Sequence, residues 1–518
     1  MPSLENRNPS AWVVASRFVG RSMWRTTRQL HLAALVVAIA SGCTGTLKLD
    51  SPKALPQSFN EASPEAANAH TSLSDEQLAT WWTQFNDPAL TQLIETAIAH
   101  NYDISIAAAR VDQARSTVRL ARSQLLPSVG VGAQAASYHG GETALEFQEF
   151  LGINDLDAQF WRVGLQTQWE IDVFGRGRAR LAAARASTLA AAGDAEAVRL
   201  AVIGGVADLY MTYRGLIRQR ELLAQSHQIA ADFVVIAEQS FKAGVVLSTD
   251  IDVARAGLAQ VEARQQDVET AISAAQLSLE NLCAVQPGEL TATLSSVSGL
   301  PTPLPDITPG QPVDLLMRRP DLIAARDRLY ASMKQSDAAR LNYWPTFSLS
   351  ALLARNGWDI AGRGLGPSTF WLFGAAAALP LIDFGARESQ VESSDAQAQQ
   401  ALQAYEKAAS GALFDVEQAL SRLKRQQDLQ RARNEEVARR NEVLRKTTRQ
   451  FTVGDIGRLD IDQARLALLD SQATLVREQV GQLQAQVALF RAMGGGWEPA
   501  SSAVSASPHL PASSSVSP

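Results

Sequence analysis

Two short acidic clusters have the greatest chemical reach in this 518-residue chain. Asp250 and Asp252 follow Gly244, with Arg255 close behind; Asp460, Asp462 and Arg465 repeat that order after Gly454. A glycine and then an aspartate-started helix break a long helix, so both clusters belong at helix tips. Carboxylates gathered at a constriction attract cations, repel one another and give weight to ion pairs. The plainer alternative is that Asp250 and Asp460 are helix N-terminal charges, with Arg255 and Arg465 as solvated partners. Other chemistry finds no residues to rest on. The six His are scattered without metal-ligand spacing, and there is no nucleophile elbow and no phosphate-binding glycine loop with Lys-Ser/Thr. Neither an enzyme nor a metal or cofactor site is expected.

Charge and composition narrow the class further. The formal charge is −6, and removing residues 1–42, with five Arg and one Glu, takes it to about −10. That argues against a nucleic-acid partner. Hydrophobic residues make up 46% and aromatics only 6%, and the downstream half is rich in Ala, Gln, Arg, Glu and Leu. This bias favours long helices packed through small residues. The run Arg422–Arg449 mixes both signs along a helix and reads as a solvated or inter-helix face.

The N-terminus reads as an address. Arg25 and Arg28 precede an apolar run from Leu30 to Ala40, too short for a membrane-spanning helix of about 20 residues. Ala40-Ser41-Gly42-Cys43 then resembles a bacterial lipobox, with Cys43 lipidated as the new N-terminus; the alternative is an ordinary secretory signal cut near Ala40. Residues 1–42 are thus expected to be a signal peptide, with Met23 as a candidate start, and 43–74 a lipidated extended tether. Cys283, the other cysteine, lies in an apolar helical pattern and is expected to be a buried free thiol.

The elements that position the tips come in two copies. Phe241–Gly244, Asp250, Asp252, Arg255 and Leu258 match Phe451–Gly454, Asp460, Asp462, Arg465 and Leu468, always at an offset of 210. Ile171-Asp172-Val173-Phe174-Gly175 matches Ile382-Asp383-Phe384-Gly385, and Asp103, Arg110, Arg122 and Pro127 match Asp321, Arg328, Arg340 and Pro345. Each copy reads helix, strand, strand, very long helix, helix. No proline interrupts Gly175–Gly244 or Gly385–Gly454, and such an interval is about 100 Å of helix. Gly204-Gly205 marks a close helix contact or a bend. The expected domains are 75–300 and 301–495, with 496–518 a disordered tail.

The strand between Trp161 and Asp172 alternates strictly between apolar and polar residues, as a tilted membrane strand around a water-filled barrel requires. Ser128–Ser137 and Thr346–Ala354 alternate more weakly, and Trp371–Leu381 is placed by the repeat. A soluble antiparallel sheet is the alternative for any one strand. Four strands cannot close a barrel, and an open edge in lipid leaves unpaired backbone groups, so the membrane reading requires oligomerisation.

Trp81-Trp82, Phe85, Asp87-Pro88, Leu90, Leu93-Ile94, Ala97 and Asn101-Tyr102-Asp103, with the turns and tips above, resemble the TolC-like outer-membrane efflux lipoproteins of the OprM and NodT branch, over about residues 75–495. The resemblance implies a mainly α fold with a transmembrane β-barrel section: a homotrimer whose twelve-stranded barrel continues into a twelve-helix periplasmic tunnel. It implies a passive exit duct for small toxic compounds or drugs in the outer membrane. The implied partners are a periplasmic adaptor, an inner-membrane pump of the resistance-nodulation-division class, and outer-membrane lipid. It places Asp250, Asp252, Asp460 and Asp462 at the periplasmic aperture, and Gly244, Gly454, Arg255 and Arg465 at adaptor contacts. Gln463 stands where relatives often carry Asp. A protein-secretion duct of the same fold and a poreless periplasmic coiled-coil scaffold are the alternatives.

Overall fold

The computed structural model describes residues 49, 52–61, 74–139, 157–295, 299–304, 307, 309–360 and 363–497. The expected signal, Cys43 and the tail beyond Trp497 lie outside them. The elements are α1 (Pro88–His100), α2 (Tyr102–Ser123), β1 (Ser128–His139), β2 (Asp157–Ile171), α3 (Arg176–Lys242) and α4 (Ser248–Leu282); then α5 (Pro320–Arg340), β3 (Thr346–Ile360), β4 (Arg363–Ala378), α6 (Ala386–Thr452) and α7 (Arg458–Ala492). The duplicated order is the expected one. The long helices α3 and α6 are 67 residues each, and α4 and α7 are 35 each. No described helix is long and apolar enough to cross a membrane.

Local chemistry sets the start of each long helix. Gly175 and Gly385 take left-handed φ of 87° and 88°, which glycine adopts without a Cβ penalty. The Asp172 carboxylate accepts from the Gly177 and Arg178 backbone N–H, both at 2.9 Å. Burial pushes its pKa up, but these N–H groups and Arg178 outweigh it and hold the carboxyl below its ordinary value. Asp383 is held low chiefly by its side-chain bond from Arg387, and its carboxylate also accepts from the Arg387 N–H at 3.3 Å.

The described residues form two compact units, each drawing on both sequence repeats. One comprises Ser116–Arg185 and Tyr330–Gln400 and holds an antiparallel sheet in the order β1-β2-β3-β4. Two strands differ from expectation. β3 runs on to Ile360, and β4 covers Arg363–Ala378 instead of Trp371–Leu381. Pro380, without an N–H, follows the strand's end and leaves Leu381 and Ile382 outside it. Upstream, Ser368 pairs with Asn356 and Leu365 with Trp358, so Gly366-Pro367 sits in a bulge. The bulge accommodates a proline that reads as a loop in the sequence. In the same unit, Arg340 on α5 grips Asp395 on α6 through two bonds of 2.7 and 2.6 Å.

The other unit comprises Ser51–Arg115, Ala186–Leu329 and Ala401–Pro518. Its core gathers Trp81, Leu90, Leu93, Ile94, Ile203, Tyr210, Met211, Leu279 and Phe490, with Trp81 stacked on Phe490 at 5.1 Å. Asp87 caps α1 through the Ala89 and Leu90 N–H at 3.0 and 3.2 Å, as Asp-Pro predicts. Its other oxygen accepts from the Tyr210 hydroxyl at 2.8 Å and Arg214 at 2.7 Å, inside the core. Gly204 marks a close contact: a Cβ there would collide with the Arg491 side chain of α7. Cys283 is free and buried, and burial, with Glu280 nearby, pushes its thiol up to about 11.

Two boundaries move. The tether is docked along 52–61: Phe59 is buried in the core, and Asn60 and Glu61 donate backbone N–H to the Glu417 carboxylate at 2.7 and 3.0 Å. At the other end the packed chain reaches Trp497, because the Gly496 N–H donates to the Leu78 carbonyl at 2.8 Å and the Trp497 indole to the Arg318 carbonyl at 2.9 Å.

Candidate functional site

The two helix tips share one backbone design. Gly244 and Gly454 end α3 and α6 with φ of 74° and 87°. The next residue's N–H closes the last turn, Val245 to the Ser240 carbonyl and Asp455 to the Gln450 carbonyl, both at 2.9 Å. Asp250 accepts from the Leu247 N–H at 2.8 Å, and Asp460 from the Gly457 N–H at 3.0 Å. Each aspartate therefore satisfies an orphan donor at its helix start. Both remain exposed.

Side chains separate the tips. Asp252 is exposed, and Arg255 reaches back to Glu238 of α3 at 2.8 Å. Its counterpart Asp462 is only 1% exposed, held by Arg458 at 2.8 Å and Arg465 at 3.1 Å. Arg458 also approaches Asp232 of α3, at 3.6 Å. The bond that Arg458 donates to Asp462, and then the two carboxylates' charge, raise the Arg458 pKa, so it stays cationic. Asp462 thus lies inside the chain as the centre of a clamp, whereas Asp460 remains at the surface. The tip repeat singles out Arg465 and passes over Arg458. The signal was there, since positions four before and three after a helical Asp share its face.

Beside the tips, α3, α4 and the start of α7 line a cleft of about 1270 Å³ that is partly open to solvent, with Phe233, Val253, Arg264, Arg458, Gln463 and Leu466 among its walls. Phe241, Val245, Leu247, Val253, Phe451 and Val453 are exposed around the two turns. Among the described residues no cluster of His, Cys, Asp and Glu gathers to hold a metal ion.

In the sheet, register decides which residues share a face. Aligned rows read Ile171–Phe347–Ala377, Trp169–Leu349–Ala375, Val129–Thr167–Ala351–Phe373, Val131–Leu165–Leu353–Trp371, Ala133–Val163–Arg355–Thr369 and Ala135–Trp161–Gly357. The opposite face carries Ser128, Gln134, Arg162, Gln166, Gln168, Ser350 and Asn356, with a few apolar residues among them. Ten steps along β2 are about 33 Å, or about 25 Å along the normal at a tilt near 40°, the height of an outer-membrane apolar band. A Cβ on Gly357 would collide with the Trp161 indole, so the tryptophan covers the glycine.

The sequence profile of the family described as "Outer membrane efflux protein" matches residues 93–285 and 312–495. The chain belongs to this family. It is 28% identical over 471 residues to nodulation protein T of Rhizobium leguminosarum bv. trifolii, covering 90% of this chain and 97% of that one. It is 25% identical over 474 residues to the toluene efflux pump outer membrane protein TtgC of Pseudomonas putida, covering 91% and 96%. The solved outer-membrane channel OprN superposes with a TM-score of 0.77 at 26% identity, covering 88% of this chain and all of that one. This efflux protein is thus an outer-membrane channel with the TolC-like helical and barrel fold, a transport duct and not an enzyme.

Proposed function

We propose that this efflux protein is the passive exit duct of a tripartite pump, formed by three copies and anchored through a lipid on Cys43. The observation that carries this reading is the four-stranded sheet with one apolar face and open edges at β1 and β4. In lipid each unpaired edge group costs several kcal/mol, and closure by further copies removes that cost. Three chains supply twelve strands. Energy comes from an inner-membrane pump of the resistance-nodulation-division class, reached through a periplasmic adaptor that contacts the tips around Gly244, Arg255, Gly454 and Arg465. The cargo is small toxic compounds or drugs, a class suggested by relatives named for toluene efflux.

In this reading Asp250, Asp252 and Asp460 present carboxylates at the periplasmic aperture, while Asp462 acts from inside by holding Arg458 and Arg465 in place. Planar-bilayer recording of the purified full chain tests both parts. The expected outcome is a trimer passing ion current, with higher conductance after Asp460→Ala. No current favours the poreless scaffold. Current with unchanged conductance and cation selectivity in Asp460→Ala removes Asp460 from the gate.

A further inference from the structure

Arg355 is the one charged residue of the apolar face between the Ile171–Phe347 and Trp161–Gly357 rows. β3 is an inner strand of the sheet, flanked on that face by Val163 and Thr369 of this same chain. Copies joining at the β1 and β4 edges therefore leave Arg355 uncovered. The side chain is exposed, and among the described residues it makes no hydrogen bond or ion pair. The nearest carboxylate along its own face, Asp359, lies four residues further on β3, about 13 Å along the strand.

A guanidinium on the lipid face is costly, by about 2–4 kcal/mol at mid-depth and less near the interface. Arg355 lies one row inside the Trp161–Gly357 row, towards the sheet end where β1 and β3 finish and away from the ends that lead into α3 and α6. From that depth its long stem can carry the charge up to the headgroup level. The anion found at that level is a lipid phosphate, and the planar guanidinium fork matches two of its oxygens.

We propose that Arg355 is the protein half of a headgroup site that takes the phosphate of a lipid in the outer leaflet. This rests on the membrane-duct reading above. The test reconstitutes the full chain in phosphatidylcholine vesicles with diphosphoryl lipid A, dephosphorylated lipid A or inorganic phosphate. Retained lipid is counted by native mass spectrometry, and ion current is recorded from the same vesicles. The wild type should retain diphosphoryl lipid A and not its dephosphorylated form. Arg355→Leu, which removes a charge from an apolar face and should fold, is expected to bind roughly tenfold more weakly. Arg355→Lys should fall between, because an ammonium lacks the fork. Equal retention by Arg355→Leu overturns the site. Displacement of the lipid by inorganic phosphate at matched phosphate concentration would mean a free-anion site and overturns it as well. A wild type that retains lipid but carries no current refutes the duct and leaves Arg355 as a lipid contact of some other assembly.

Discussion

The two helix tips were copied from one ancestral turn, yet only one became a clamp. Their backbones agree to the residue: glycine in the left-handed region, a closing N–H to the residue five before it, and an aspartate reaching back to the helix start. The side chains diverge at several positions, and one of them bears directly on the clamp. Ser248 begins α4 where Arg458 begins α7. With an arginine there, Asp462 is buried between two guanidiniums; without one, Asp252 stays in solvent and Arg255 turns to Glu238. Backbone geometry was retained because a turn needs it, and side-chain pairing was free to differentiate the copies.

The largest effect should come from stripping the clamp. Arg458→Ala with Arg465→Ala leaves the Asp462 carboxylate buried without a cation, and an unpaired buried charge lowers stability more than the loss of a solvated pair. Arg255→Ala breaks a half-exposed pair and should cost less than about 1 kcal/mol. Denaturant titration of the purified protein compares them, and similar losses at both tips would show that the clamp is not special. The clamp also ties α7 to α3 through Asp232, so the double variant should raise conductance, with Arg255→Ala near wild type.

Next in size are the turn glycines. Gly244→Ala and Gly454→Ala each place a Cβ in the left-handed region, at about 1–2 kcal/mol. Neither site has an atom near enough to obstruct a methyl group, so the losses should match. Unequal losses would mean that the tips differ in backbone as well as side chains.

How much of this was legible follows from what each feature depends on. The long helices, the turns and the Asp87 cap are local, so glycine, proline and aspartate spacing revealed them. The extent of β4 was not legible, because Gly364, Gly366 and Pro367 are strand-breaking locally, and only the pairing of Gly364, Leu365 and Ser368 with β3 on either side of the bulge keeps the segment in the strand. The docking of Phe59 and the second bond set of Asp87 depend on residues over a hundred positions away, which no spacing rule reaches. Asp462 sat between: its pairing was local and readable, but its burial was not. Read as a free carboxylate beside Asp460, it is instead paired inside the chain.

The long-helix starts offer a third, smaller comparison. Asp172 and Asp383 both have carboxyls held below their ordinary value. A depressed folded-state pKa stabilises fully above the unfolded value, near 4, and that stabilisation is lost as pH falls through the folded value. Asp172→Asn should therefore cost about 1 kcal/mol at neutral pH, because an amide offers one acceptor oxygen where the carboxylate offers two charged ones to the Gly177 and Arg178 N–H. The gap from wild type should close as pH is lowered from about 5 towards 2. A gap that stays constant across that range would assign the loss to shape and not to charge.

The smallest prediction goes the other way and tries to build the missing clamp. Ser248→Arg puts an arginine four residues before Asp252, the spacing of Arg458 and Asp462. Because Asp252 is exposed, the new pair should add only about 0.3–0.5 kcal/mol, and salt should screen it. Conductance should stay unchanged, since Asp252 has no burial to enforce the geometry and Val253 and Leu247 beside it remain in solvent. If instead the substitution lowers conductance, an arginine at that position is sufficient to make a clamp, and burial of the aspartate follows from pairing. The expected unchanged conductance places burial first: the surroundings of Asp462 select its two arginines, and the charge alone does not.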